Sequence, residues 1–328
     1  MSEIINGYEL LEPFQNQDAG FSRWTFARKN GKEYFLKQFM EPVYPQENTL
    51  SEELRKSKIR ECEEIEVRKK LLYREINEAS DGNIVRINEF FRFDTHYYLA
   101  TEKIEKAGLK LEDIIKYPYE NRFLLCKSLA YGVSKLHRAH IAHSDIKDTN
   151  VIIKASSTGQ LIAKLIDFDA AFFDDKPPVD EDELSGDQIY LAPEACLFIF
   201  GDPVRLGTKI DVFALGLLFH QYLSGEFPKF DEEKYDYAYE SVLDDQPLLL
   251  SEKIPGEMRA VIEQMLVCKP EERISMQAVY EKMKSLERKV KEVTESETAE
   301  GNTVKHEKKV CAKDESFVGF YTPGDDDL

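Results

Sequence analysis

Large apolar and aromatic residues alternate with polar ones through "YELLEPF" and "SRWTFARKNGKEYFLKQF", so residues 6 to 39 read as antiparallel strands. Asn30-Gly31 falls between two of these runs, where a two-residue hairpin turn needs positive φ. A connector containing Pro42 and Pro45 ends this meander. Residues 51 to 78 then lack Pro and Gly, are rich in Glu, Lys and Arg, and space Ile59, Cys62, Ile65, Leu72 and Tyr73 along one stripe. That spacing predicts a long, mostly solvated helix. "NIVRINEFFRFDTHYYLATEKI" returns to aromatic and β-branched residues and predicts a second hairpin.

From about residue 108 the period changes to that of helices: "LKLEDIIKY", then "NRFLLCKSLAYGVSKLHRA" with Leu124, Leu125, Leu129, Val133 and Leu136 on one apolar face. "KIDVFALGLLFHQYLSG" is apolar nearly all round, which predicts burial, and "PGEMRAVIEQMLVCK" and "SMQAVYEKMKSLERKVKE" follow as further helices. A strand-rich front (6–104) and a helix-rich back (105–289) suggest two lobes of one α+β domain. Beyond 290 periodicity stops and apolar residues are few, so 290–328 is expected to be a flexible tail. Its end, residues 317 to 328, differs in carrying Phe317, Val318, Phe320 and Tyr321. It is either a segment that docks a partner or a loose end, and the composition leaves both open.

At 328 residues the chain is long enough to bury a full core. Its net charge of -18 opposes binding to nucleic acid or to anionic lipid through the general field. No run approaches the ~18 apolar residues of a membrane helix, and "MSEIINGYELLEP" lacks the regions of a signal peptide, so a cytoplasmic location is expected. Five dispersed cysteines without a CxxC pair read as free thiols.

Chemistry concentrates in "AHSDIKDTNVII". Asp145 is followed two residues on by Lys147 and five on by Asn150; after a strand-like run and a Gly-containing turn, "AKLIDFDAAF" adds Asp167. Phosphoryl transfer asks for a carboxylate to orient and deprotonate the acceptor hydroxyl, a cation near the transferred group, and oxygen ligands for Mg2+ on a polyphosphate. Asp145, Lys147, and the pair Asn150 and Asp167 match those needs in turn.

With these residues the chain resembles the protein kinase family over roughly residues 8 to 288. The loop is similar to H-R-D-x-K-x-x-N and "DFD" to D-F-G. Ala192-Pro193-Glu194 stands where the family has A-P-E, Asp211 where a buried helix aspartate braces the catalytic loop, and Arg273 where an arginine pairs with the A-P-E glutamate, which implies a partly buried ion pair between Glu194 and Arg273. The resemblance implies a two-lobed kinase fold using ATP and Mg2+ on a protein substrate. It nominates Lys37 in "EYFLKQF" for the α- and β-phosphates. Glu66 is the chosen partner of Lys37, with Glu63 and Glu64 as rivals. Thr101 becomes the gatekeeper, with the backbones of Glu102 and Ile104 facing adenine.

Four departures bear on how such a site would work. The glycine-rich loop is nearly gone, with Gln17, Ala19 and Ser22 in the glycine places and only Gly20 nearby. Trp24 and Phe35 occupy places where smaller residues normally sandwich adenine. Asp169 replaces the glycine of D-F-G, and Ser144 the arginine of H-R-D. A family arginine there can hold an activation-segment phosphate, so its loss argues against switching by phosphorylation. The segment agrees, with one serine (Ser185), no threonine and the acidic run "DDKPPVDEDE". Its acidity suggests a basic acceptor peptide. Asp187, where a threonine is common, could pair with Lys147.

Three readings follow: an active serine/threonine protein kinase, a pseudokinase scaffold, and a small-molecule phosphotransferase. The presence together of Lys37, Asp145, Lys147, Asn150 and Asp167 favours the first.

Overall fold

A computed structural model describes residues 3–16, 22–47, 51–104, 108–180, 184 and 186–287. Gly20, Ser185 and the tail segment 317–328 lie outside the described residues. The chain divides into two compact units, one holding the described residues up to Ser80 and from Val85 to 104, the other Asp81–Ile84 and those from 108 on.

The first unit is a six-stranded antiparallel sheet and one helix: β1 Ile4–Ile5, β2 Tyr8–Leu10, β3 Ser22–Lys29, β4 Lys32–Phe39, α1 Glu52–Ala79, β5 Ile87–Phe93 and β6 His96–Glu102. Asn30 and Gly31 both take positive φ (52° and 76°), as the expected β3–β4 turn requires. The sheet order is β1-β2-β3-β4-β6-β5, which puts β6 rather than β5 beside β4. Register aligns Trp24 with Lys37 and Lys37 with Leu99; one pair along, Phe26, Phe35 and Thr101 line up. Because side chains alternate, these residues share one face. The opposite face carries a buried cluster of Ile5, Tyr8, Ala27, Leu36, Phe91, Tyr98 and Ala100.

Helix α1 starts at Ser51, whose side chain caps Leu54 N–H. It buries Cys62, Leu72, Tyr73 and Ile76; Ile59 and Ile65 of the expected stripe are only half-buried. Tyr73 packs edge-on against Phe90, and Tyr97 donates to Cys62 O, so the helix is fixed to the sheet from Cys62 onward. None of residues 52 to 61 is fully buried, and only Arg55 and Ile59 among them are half-buried. Local pairs such as Glu52 with Lys56 at 2.6 Å support them.

The second unit contains α2 Leu111–Ile114, α3 Tyr119–Arg138, β7 Ile141–Ala142, β8 Val151–Ala155, β9 Leu161–Leu165, β10 Phe172–Phe173, α4 Pro193–Ile199, α5 Lys209–Ser224, α6 Ala238–Leu243 and α7 Gly256–Met265, with α8 over 276–287. Its centre is α5, buried from Ile210 to Ser224 as its all-round apolar sequence predicts. Gly225, at φ 88°, ends it, and Arg122 Nη1 donates to the carbonyls of Tyr222 and Leu223. Helix α3 packs Phe123, Leu125, Cys126, Leu129, Val133 and Leu136 inward, whereas Leu124 is only half-buried. Two small ladders, β7 with β10 and β8 with β9, frame the loop that carries Asp145. Cys62, Cys126, Cys196 and Cys268 are free thiols, and no helix among the described residues is long and apolar enough to cross a membrane.

Candidate active site

The loop from His143 to Asn150 leaves β7 and returns through a 3-10 turn, Asp148–Asn150, into β8. Asp211, 1% exposed in the first turn of α5, holds its start: Oδ2 accepts from His143 N at 2.8 Å and Oδ1 from Ser144 N at 2.9 Å. His137 Nε2 also meets Oδ2 at 2.9 Å and, facing a carboxylate, donates. This clamp holds Ser144 at φ 72°, a conformation that costs a non-glycine residue roughly 1–2 kcal/mol. The buried His143 ring spans the loop, with Asp145 N–H directed at Nδ1 (3.3 Å) and Nε2 donating to Ile166 O at 3.0 Å. The imidazole is thereby fixed in one tautomer.

The structure brings Asp145, Lys147 and Asn150 together. Asp145 Oδ2 accepts from Asn150 Nδ2 at 2.9 Å and lies 3.0 Å from Lys147 Nζ; Asn150 Nδ2 also reaches Asp145 O at 2.8 Å. Asp145 Oδ1 is buried and has no hydrogen-bond partner. Asp145 lines a cavity with Leu184, Gly186, Asp187, Tyr190 and Leu191. Asn150 spends its amide donors on Asp145. Ile166 N–H donates to Asn150 O at 2.9 Å, which places Asp167 (φ 62°) one residue from that contact.

Asn150 and Asp167 offer a neutral oxygen and a carboxylate, a donor set that suits Mg2+ arriving with a polyphosphate and keeping its remaining ligands from phosphate and water. Among the described residues no three His, Cys, Asp or Glu side chains cluster to hold a resident ion.

In the first unit Lys37 is 9% exposed on β4. On its face Trp24 stacks on Phe35 with centroids 5.5 Å apart, Phe26 meets both edge-on, and Lys103 Nζ lies 4.7 Å from the Phe26 centroid. Thr101 is buried opposite Phe35; Glu102 N–H is bonded to Arg86 O and its carboxylate to Arg86 N–H; Ile104 is half-buried. Of the three candidate glutamates, Glu63 and Glu64 are exposed and Glu66 is half-buried. Glu66 Oε1 takes Lys70 Nζ at 2.6 Å.

Around the second-unit loop, two expectations need correction. Glu194 and Arg273, expected to be a partly buried pair, are fully buried at 5% and 0% side-chain exposure, bidentate at 2.7 and 2.8 Å. Arg273 also donates to the carbonyls of Val267, Lys209 and Cys268, and this saturation lets the charge sit so deep. Asp187 does not pair with Lys147; its Oδ1 accepts Ile189 N–H at 3.0 Å and caps the turn at Gln188–Tyr190, while Lys147 turns to Asp145. The sequence carried no signal for the contact between Tyr190 OH and Gln221 Oε1 (3.0 Å), nor for the buried, partnerless Ser144 Oγ. Burial, and after it the charge of Asp148, raises the Tyr190 pKa.

The protein kinase domain model matches residues 46–283. The serine/threonine-protein kinase PSK2 of Saccharomyces cerevisiae is 28% identical over 212 residues, 63% of this chain and 18% of that protein. The serine/threonine-protein kinase ppk6 of Schizosaccharomyces pombe is 33% identical over 160 residues, 47% of this chain and 19% of that protein. The serine/threonine-protein kinase PAK 5 of Rattus norvegicus is 26% identical over 218 residues, 64% of this chain and 29% of that protein. This chain thus spans less than a third of the length of each of these relatives. The matched span takes in well over half of the chain, including the loop from His143 to Asn150, and the chain belongs to the protein kinase family.

Proposed function

We propose that this chain is a Mg-ATP-dependent serine/threonine protein kinase that transfers the γ-phosphoryl group to a protein hydroxyl. One observation carries the reading: Asp145 Oδ2 is fixed by Asn150 and Lys147 while Oδ1 has no protein partner. The fixed oxygen sets the carboxylate's direction, and the free one can accept the acceptor's proton as the hydroxyl oxygen bonds to the γ-phosphorus and the bond to the β-phosphate oxygen breaks. Lys147 is assigned to the negative charge on the transferring group and Lys37 to the α- and β-phosphates, with Glu66 as its partner. Thr101, Glu102 and Ile104 border adenine, Trp24 and Phe35 stack on it, and Gly20 belongs to the phosphate-covering loop. Mg2+, held by Asn150 and Asp167, neutralises the polyphosphate.

The kinase is not switched by phosphorylation of its activation segment. Ser144 offers no cation at the place where the family's arginine would receive such a phosphate, and its hydroxyl is buried. The acidic segment favours a basic acceptor, and the free thiols a reducing, cytoplasmic setting. A second reading, a binding scaffold without turnover, draws on the stacked Trp24 and Phe35, which bring bulk to the sheet face of Lys37.

The test is transfer of labelled phosphate from Mg-ATP to a generic basic substrate, by wild type beside Asp145→Asn and Lys37→Ala. Turnover by wild type and its loss in both variants is expected; three equally silent proteins would refute the enzyme. A thermal shift with Mg-ATP then separates scaffold from dead fold, since ligand at ~100 times its dissociation constant stabilises by about 2.7 kcal/mol.

A further inference from the structure

Ser144 Oγ and Asp145 Oδ1 are buried and have no hydrogen-bond partner in the protein. The other polar groups around them are engaged. Asp211 Oδ1 takes Ser144 N–H, Asp145 N–H points at His143 Nδ1, and Asp145 Oδ2 holds Asn150 Nδ2 and Lys147 Nζ. The two remaining atoms belong to consecutive residues, whose Cα atoms are about 3.8 Å apart, yet they are not bonded to each other. Ser144 and Asp145 line one cavity of about 20 Å³, which Leu184, Ala195, Ile210 and Ala214 wall with apolar atoms. Its further polar side chains have partners elsewhere: Asp187 Oδ1 caps Ile189, Asp211 holds the loop, and Tyr190 donates to Gln221.

A cavity of roughly 10–15 Å³ is enough for a water, and a bound water needs at least two polar partners. This cavity meets both conditions. Water also has the matching complement, since it accepts from the Ser144 hydroxyl and donates to the carboxylate oxygen. An apolar molecule would leave both atoms unpaired, and an anion would be repelled by Asp145. We propose that one ordered water joins Ser144 Oγ to Asp145 Oδ1 and makes Ser144 a positioning residue for the catalytic carboxylate. Asn150 and Lys147 fix one oxygen of Asp145 directly, and Ser144 fixes the other through the water. A carboxylate oxygen accepts two hydrogen bonds, so Oδ1 keeps a lone pair for the acceptor hydroxyl. The backbone agrees with a task for the hydroxyl: glycine would take φ 72° without strain, yet the position carries a side chain. The catalytic part of the proposal rests on the kinase reading, whereas the water does not.

The experiment uses the full chain as wild type, Ser144→Ala, Ser144→Gly and Ser144→Asn. Crystal structures that show ordered water test the site without reference to activity. Density for a water within about 3.2 Å of both atoms is expected in wild type, and its loss in Ser144→Ala. Phosphate transfer tests the role: Ser144→Ala and Ser144→Gly should lower kcat by about threefold to tenfold, the effect of one hydrogen bond, with KM unchanged. Asparagine tolerates positive φ and brings a donor of its own, so Ser144→Asn should recover part of kcat. Urea midpoints separate positioning from damage to the fold, because glycine relieves the positive φ and should stand above alanine while the two share the loss in kcat.

A dry cavity in wild type, or a water kept unchanged in Ser144→Ala, overturns the assignment. So does a wild-type kcat in both Ser144→Ala and Ser144→Gly, or a loss of kcat that follows the urea midpoint. A water present in wild type and lost in Ser144→Ala, with no phosphate transfer by any of the four proteins, keeps the bridge and refutes the kinase reading instead.

Discussion

Asp211 is the residue on which the position of the whole loop depends, and Asp211→Ala measures that dependence. Its carboxylate is 1% exposed and accepts two backbone N–H groups and one ring N–H. Deleting it strands the N–H groups of His143 and Ser144 in a buried place, at about 1–3 kcal/mol each. Ser144 also loses the contact that offsets its positive φ. The expected loss is about 4 kcal/mol, a large share of the roughly 5–15 kcal/mol that holds a folded domain together. With an m value of about 3 kcal/mol/M in urea, the midpoint falls by roughly 1.3 M. Circular dichroism is the right probe because the helices of the second unit dominate it. Trp24 is the single tryptophan and reports the first unit instead. Asp211→Asn should fall between the two, since its oxygen can serve one N–H while its NH2 group opposes the other. A loss below about 1 kcal/mol for Asp211→Ala would refute the view that Asp211 sets the loop.

Arg273→Met should cost about 3–5 kcal/mol because it leaves Glu194 charged and unpaired at 5% exposure, and adding Glu194→Gln should recover part of that in thermal unfolding. Gly216→Ala would set a Cβ 2.8 Å from Leu266 Cδ2 and 3.1 Å from Met265 Cβ, so it should lose about 1–2 kcal/mol in urea although alanine is the better helix former. His220 is buried with Nδ1 donating to Glu226 O and Nε2 accepting from Ser251 N–H, a neutral ring, and burial lowers its pKa below 6.5. The unfolded chain takes up that proton more readily, so this contribution is complete above pH about 6.5 and is lost as pH falls through that range, levelling off below the folded-state pKa. Urea midpoints at about pH 7.5 and 5.5 should show that fall in wild type and a smaller one in His220→Gln.

Period and turn chemistry made most elements legible. The alternation of β3 and β4, the Asn30-Gly31 turn and the apolar girth of α5 are local properties, and each appears where the pattern puts it. Sheet order is not local. That β6 lies between β4 and β5 depends on pairing across α1, which no short window encodes. Helices α4 and α6, at seven and six residues, are too short to establish a 3.6 period, although Pro193 at the start of α4 is a helix-opening signal. Leu124 matched the apolar face by residue type, yet Cys126 and Ala130 took its place inside.

In the site, spacing was enough to gather Asp145, Lys147 and Asn150, because they lie within six consecutive residues of one loop. The depth of Arg273 was not readable, since it rests on three backbone carbonyls from two segments, Val267–Cys268 and Lys209. Nor was the choice of Asp187 between Lys147 and its own turn, where a neighbouring N–H two residues on won over a more distant cation. The strands bearing Trp24, Phe35 and Lys37 lie before residue 46, ahead of the family match, so alternation is what makes them legible.

Helix α1 has a consequence of a different kind. At 1.5 Å per residue its 28 residues run about 42 Å, and only the part from Cys62 onward is riveted to the sheet. The leading ten residues bury only parts of Arg55 and Ile59 and owe most of their winding to a serine cap and solvent-facing ion pairs, so their order depends on ionic strength more than on the stability of the core. Amide hydrogens should therefore exchange in a gradient along one continuous helix, quickly near Leu54 and slowly near Ile76, with salt steepening the slope. One element thus has two separate melting behaviours, and the boundary between them lies at Cys62.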